Sequence, residues 1–361
     1  MARIFSVILF IFLFVSNLYA EDVFRVGVIQ SLTGIAAEDG KTVVQSLQLA
    51  AEHINSKYPN SIELFIEDDQ STPKNTLAAY YKLKSRKVEA IIGATWDFTT
   101  YVLIPQAAKD KIVLFNTSTL PESLNFSRSK GYLFSNAITT AEEAEPFKRF
   151  LVKYKPKSLV IVYANNLWGE TQKKVYKEIA VKQNVKIEDE ISSVSFEDNV
   201  WREVLPRIKS KNPSLILLLL NKNDIEIFLR RAKESSISAL FFASKNAYDA
   251  LSNSKQRSLY ERLCFTYPYE RLKRLAKFNK MYKDKFGELP RIYADNTYDA
   301  LWLLYTAYKL KESSRNISLR EALKLVRYKG LVGIYRYSPK TSFSIGRSSL
   351  VCVKEGKVRS L

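Results

Sequence analysis

Side chains suited to covalent chemistry are scarce in this 361-residue chain, whereas polar turns suited to holding a small molecule recur. It has one histidine, His53, and two cysteines, Cys264 and Cys352. No Gly-x-Ser-x-Gly elbow, no Gly-x-x-x-x-Gly-Lys phosphate loop and no metal-ligand spacing occurs. His53 falls on the solvent-side rhythm of its helix, so an ordinary surface histidine is expected there. Asp68-Asp69 abuts a strand end, where acids cap the next element. Catalysis is therefore not expected, nor is a cofactor or a metal. Binding is better supported. Val26–Ile29 reads as a strand running into Ser31-Leu32-Thr33-Gly34 and, past Gly40, into a helix. On that helix Val43, Leu47, Ala50 and Ile54 form one apolar stripe. Such a unit sets backbone N–H groups and the Ser31 and Thr33 hydroxyls at the carboxyl edge of a parallel sheet. Open α/β sheets bind small ligands there.

The elements that must position such turns alternate along the chain. Strands are predicted at 24–29, 62–67, 90–93, 112–116, 159–163, 187–194, 215–220 and 239–244. Amphipathic helices such as Lys74–Lys84, Gly169–Val181, Asn199–Lys209 and Ile225–Glu234 separate them. This βαβα order implies an α/β fold of parallel sheets with helices on both faces. Further extended pieces are predicted at Tyr132–Thr140 and Cys264–Tyr269, and short strands and turns over Val332–Lys357.

Arg3, the apolar run Ile4–Val15 and the sequence Ser16-Asn17-Leu18-Tyr19-Ala20 read as a signal peptide over residues 1–20, cut after Ala20. An exported, soluble protein is expected, periplasmic where an outer membrane exists. In that setting Cys264 and Cys352 leave two readings open, one disulfide or two buried thiols. The net charge of +19 is uneven. The first 140 residues hold 13 Lys/Arg and 13 Asp/Glu, and the rest hold 43 and 24. The excess lysines recur at helical spacing, as solvated faces do, so no nucleic-acid partner is expected.

The opening pattern Leu32-Thr33-Gly34-x-x-Ala37-x-x-Gly40, then Leu49-Ala50-x-Glu52-x-Ile54-Asn55, resembles periplasmic solute-binding proteins of the leucine/isoleucine/valine-binding type. Phe278-x-x-x-Tyr282-x-x-x-Phe286-Gly287-x-x-Pro290, Tyr293-Ala294-x-x-x-Tyr298-Asp299-Ala300 and Lys329-Gly330-Leu331-Val332-Gly333 extend the resemblance over nearly the whole mature chain. The resemblance implies two Rossmann-like lobes joined by three crossing segments, with a ligand cleft between them that closes by a hinge. The lobes would be 22–138 plus 268–331 and 140–265 plus 332–361, with crossings near 136–141, 265–269 and 331–338. Both cysteines then fall in lobe 2.

The resemblance also implies a site. The loop Asn116-Thr117-Ser118-Thr119-Leu120-Pro121-Glu122 would offer Thr117 and Thr119 to the ligand, although either suits a helix cap equally well. In Ala94-Thr95-Trp96-Asp97-Phe98, Thr95 and Trp96 would lie near the cleft while Asp97 caps the helix starting at Phe98. Trp168 takes an aromatic position, either as a lid on the ligand or as lobe packing. The chain departs from the family's amino-acid binders at Ser244-Lys245-Asn246, where a glutamate for the ammonium is missing. Lys245, Asn246 and Asn223 would then read a small carboxylate or amide ligand without a free ammonium, not a branched-chain amino acid. Were Lys245 turned to solvent, Asp249 or Asp224 would restore the acid. The implied partner is the membrane permease of an ABC importer, with a membrane receptor or kinase as the alternative, and the protein would act as a monomer.

Overall fold

A computed structural model describes residues 23–118, 129–193, 200–269, 274–314, 316–346 and 348–361. The expected signal peptide and Thr119 lie outside these residues. Among the described residues no helix is long and apolar enough to cross a membrane.

In the first lobe β1 (Phe24–Gln30) runs inside a five-stranded sheet, one strand from its edge. It is flanked by β2 (Ile62–Asp68) on one side and by β3 (Ala90–Gly93), β4 (Val113–Asn116) and β5 (Leu133–Ser135) on the other. All pairs are parallel. Helix α1 (Ala37–Lys57) follows β1, α2 (Pro73–Ser85) follows β2 and α3 (Asp97–Asp110) follows β3. Val26 and Val28 pack with Leu47, Ala50 and Ile54 of α1, and Ile29 packs with Leu83 and Leu103 on the opposite face. Alternating side chains of a buried parallel strand thus feed two cores.

The second lobe starts at α4 (Thr140–Tyr154), whose Thr139–Glu142 capping box closes its first turn. Five parallel strands follow in the order β7 (Lys186–Ser193), β6 (Ser158–Ala164), β8 (Leu215–Leu219), β9 (Leu240–Ala243) and β10 (Cys264–Tyr267). Helices α5 (Leu167–Lys182), α6 (Val200–Lys211), α7 (Lys222–Glu234) and α8 (Asn246–Asn253) lie between them. The run Leu215–Leu219 is buried on both faces, with Ile216 and Leu218 towards one core and Leu215, Leu217 and Leu219 towards the other.

After β10 the chain returns to the first lobe, where α9 (Ala276–Phe286), α10 (Ala294–Ser313) and α11 (Leu319–Leu325) place Phe278, Tyr282 and Leu301 in the core under α1. The last crossing differs from the expectation. Strands β11 (Arg327–Lys329) and β12 (Ile334–Arg336) form a hairpin, and Val332, Tyr335 and Phe343 join the first lobe's core. Asp299 of α10 holds this hairpin, accepting hydrogen bonds from Leu331 N (2.8 Å), Val332 N (3.2 Å) and Tyr335 Oη (2.9 Å). Residues 332–345 therefore belong with lobe 1, and the chain crosses after Ile345, not at 331–338. Strands β13 (Ser349–Lys354) and β14 (Lys357–Ser360) then extend the second sheet in antiparallel fashion. Cys264 and Cys352 face each other across β10 and β13 and form a disulfide, which settles the two readings left open.

His53 is likewise not an ordinary surface residue. It is half-buried, its Nδ1 lies 2.8 Å from Tyr298 Oη, and burial lowers its pKa.

Candidate functional site

A cavity of about 270 Å³ lies between the lobes, at the carboxyl ends of the parallel strands. The first lobe walls it with the start of α1, the turn Thr95–Phe98 and Tyr293. The second lobe contributes the starts of α5, α7 and α8. Two helices approach closely because they carry glycine where another residue would collide. A Cβ on Gly40 would sit 1.9 Å from Ser31 O, and one on Gly169 would sit 1.9 Å from Ala164 O. Gly40 lies inside α1, which therefore starts earlier than the sequence suggested. Asn166 caps α5 by accepting from Gly169 N at 2.8 Å, and Trp168 follows in its first turn, beside the cavity.

Of the residues singled out from sequence, Thr95, Trp96, Trp168, Asn223 and Asn246 line this cavity. Asn246 is anchored by its Nδ2, which donates to Leu220 O at 3.1 Å. Thr117 and Lys245 instead border a second cavity of about 340 Å³, on the other side of Asp249, Ile292 and Tyr293. Ser31 and Thr33 line neither. Their hydroxyls turn inward to the acid pair at the end of β2, Ser31 Oγ donating to Asp69 Oδ1 and Thr33 Oγ1 to Asp68 Oδ2, both at 2.7 Å. The pair thus ties down the first turn and does more than cap its own element.

Lys245 is engaged within the protein. Its side chain is 5% exposed, and its Nζ lies 3.2 Å from Glu143 Oε2 and 5.6 Å from the centre of the Tyr293 ring. A buried ammonium is retained only with a compensating anion, and Glu143 supplies it from α4. The loop 244–246 alone carries no sign of a partner about a hundred residues earlier.

The cavity wall is acidic instead. Asp39, Asp97 and Asp249 line it; sequence reasoning kept Asp249 only as a fallback acid and took neither Asp39 nor Asp97 as a ligand contact. Asp97 does hold the start of α3, accepting from Phe98 N at 2.7 Å, but it is itself the first helical residue and its Oδ2 has no hydrogen-bond partner among the described residues. Burial raises its pKa. Burial, reinforced by Asp39, pushes Asp249 up to about 6. Tyr293 lies among these carboxylates with a left-handed backbone, φ 77°, a conformation seldom taken by a bulky residue and often found at functional sites. The outer edge is bridged by Glu38 of α1, which pairs with Lys222 of α7 across the cleft and with Arg291 at 2.9 Å. The Lys222 contact holds the Glu38 carboxyl below its ordinary pKa. Among the described residues, no group of three or more His, Cys, Asp or Glu side chains is arranged to hold a metal ion.

Solved structures share this two-lobed arrangement. The branched-chain amino acid transporter substrate-binding protein LivJ of Streptococcus pneumoniae, in complex with isoleucine, aligns with a TM-score of 0.81 at 17% identity, over 94% of this chain and 98% of that one. The leucine-binding protein LivK of Thermotoga maritima aligns with the same score at 19% identity, over 94% and 98%. A solute-binding protein of an ABC transporter from R. palustris, in complex with benzoate, gives 0.78 at 16% identity, over 94% and 95%. An uncharacterized protein of Methanocaldococcus jannaschii is 21% identical over 309 residues, 80% of this chain and 73% of its own length. A family profile described as "Periplasmic binding protein" matches residues 23–357. With that match covering both lobes and every wall of the cleft, the chain belongs to the periplasmic binding protein family, whose members bind ligands without transforming them.

Proposed function

We propose that this protein is the exported solute-binding component of an ABC importer, acting as a monomer that encloses one small polar ligand and delivers it to a membrane permease. The observation that carries the reading is the cavity walled by both lobes and bridged at its edge by Glu38 and Lys222. A ligand seated there touches both lobes and so favours the closed state over the open one, which is the difference a permease can read.

A branched-chain amino acid is a poor fit. Such a ligand needs donors for its carboxylate and an apolar seat for its side chain. The hydroxyls of Ser31, Thr33 and Thr95 already donate internally, and the second lobe presents the amides of Asn166, Asn221, Asn223 and Asn246. With Lys245 tied to Glu143, the case for a purely anionic ligand loses its cation.

The test is a thermal-shift screen of residues 21–361 against amino acids, carboxylates, amides and amines. Ligand at about 100 times its Kd adds about 2.7 kcal/mol, or several degrees for a chain of this size. A shift that Trp168→Ala abolishes supports the reading. A screen in which no solute shifts the melting temperature refutes it, and a shift with leucine or valine refutes the exclusion of branched-chain amino acids.

A further inference from the structure

The cleft wall holds three carboxylates for which the described cations provide no ion pair. Nearby cations are already engaged, Lys222 and Arg291 with Glu38 and Lys245 with Glu143. Asp39, Asp97 and Asp249 form no ion pair among the described residues. Each sits in the first turn of a helix, where a solvated acid simply offsets the helix dipole and needs no ligand. Asp97 and Asp249 go beyond that role. Both are only 7% exposed, both border the cavity, and Asp97 Oδ2 accepts no hydrogen bond. Burying a carboxylate oxygen with nothing to face is costly unless something arrives to face it.

The same side chains exclude an anion. Asp97 and Asp249 occupy two of the helix starts that would otherwise attract one. The serine and threonine hydroxyls within reach have already given their single proton: Thr95 Oγ1 to Gln30 Oε1 at 2.8 Å, and Ser118 Oγ to Asn116 Oδ1 at 3.1 Å. Beside the asparagines of the second lobe, aromatic rings take a large share of the wall. Trp96 is held by its Nε1, which donates to Asp39 Oδ2 at 3.0 Å, and Trp168 and Tyr293 border the same space.

Carboxylates set among indole and phenol rings suit a cation carried on carbon, and the lack of a metal-competent cluster among the described residues argues against a bare metal ion. Resting on the solute-binding reading above, we infer that the cleft selects a small organic cation, an amine or quaternary ammonium without a carboxylate, held by Asp39, Asp97 and Asp249 against Trp96, Trp168 and Tyr293.

Isothermal titration of residues 21–361 with putrescine and choline, and with leucine and benzoate as counter-probes, tests this. The expected result is saturable binding of putrescine or choline. It should weaken roughly 30-fold or more in Asp97→Asn and in Asp249→Asn, both of which should melt no lower than the parent protein. Cation binding that neither variant weakens overturns the inference, as does the absence of binding by both cations. Binding of leucine or benzoate instead, lost in Trp168→Ala, overturns the cation class but leaves the solute-binding reading standing. Failure of the whole thermal-shift screen removes both.

Discussion

Lys245 and Glu143 are buried together, and each is tolerable only because of the other. Lys245→Met should therefore lower stability in urea by about 3–5 kcal/mol, and the double variant with Glu143→Gln should recover much of that loss. A ligand contact would behave differently, with affinity falling while stability held. Asp224 offers a pH test. It is buried at the start of α7, its Oδ1 has no hydrogen-bond partner among the described residues, and burial pushes its pKa up to about 6. A carboxyl whose folded pKa exceeds its unfolded value stabilises the fold below the unfolded pKa and loses that contribution as pH rises through the folded one. Asp224→Asn should thus melt with the parent protein below about pH 4 and progressively above it between pH 4 and 6, by about 2–3 kcal/mol at the plateau. At this scale the sequence was least informative. Asp97 and Asp249 look like helix-start acids in any local reading, and Lys245 looks free, because burial and a distant Glu143 are properties of the folded chain.

The elements were far more legible, since the period of a buried strand or an amphipathic helix is written locally. All eight strands placed by alternation and apolar runs are present within one or two residues of their expected ends. Short strands were expected over 332–357, which covers β12, but its pairing with β11 was not, because the hairpin is held by Asp299, a contact that no periodicity encodes. Gly40 and Gly169 play the same part in the two lobes, each letting a helix start lie against the backbone of the strand before it. Gly169→Ala should push α5 off Ala164, cost about 1–3 kcal/mol by overpacking and displace Trp168. The check is a lower urea midpoint together with a shifted tryptophan emission maximum.

At the scale of the whole molecule, an ion pair with an exposed carboxylate, Glu38 with Lys222, bridges the cleft. Solvent and salt weaken such a pair, so Glu38→Gln should raise the apparent Kd at most about fivefold, and less in high salt. Its effect should appear as a more open average shape in X-ray scattering without ligand, because the variant alters the closed population and not the cavity. The two-lobed plan was visible through spaced motifs, but not the point where the chain last changes lobe.

That late crossing shapes how the protein can be made. The second sheet receives β13 and β14 only after residue 348, and half of its disulfide is Cys352. A chain emerging from its N-terminus can finish neither lobe early, because α9 to α11 complete the first one and the final strands complete the second. Contacts spanning so much sequence form slowly, so neither lobe completes its fold until most of the chain has been made. The covalent clasp between β10 and β13 can close only once both strands have reached an oxidising compartment.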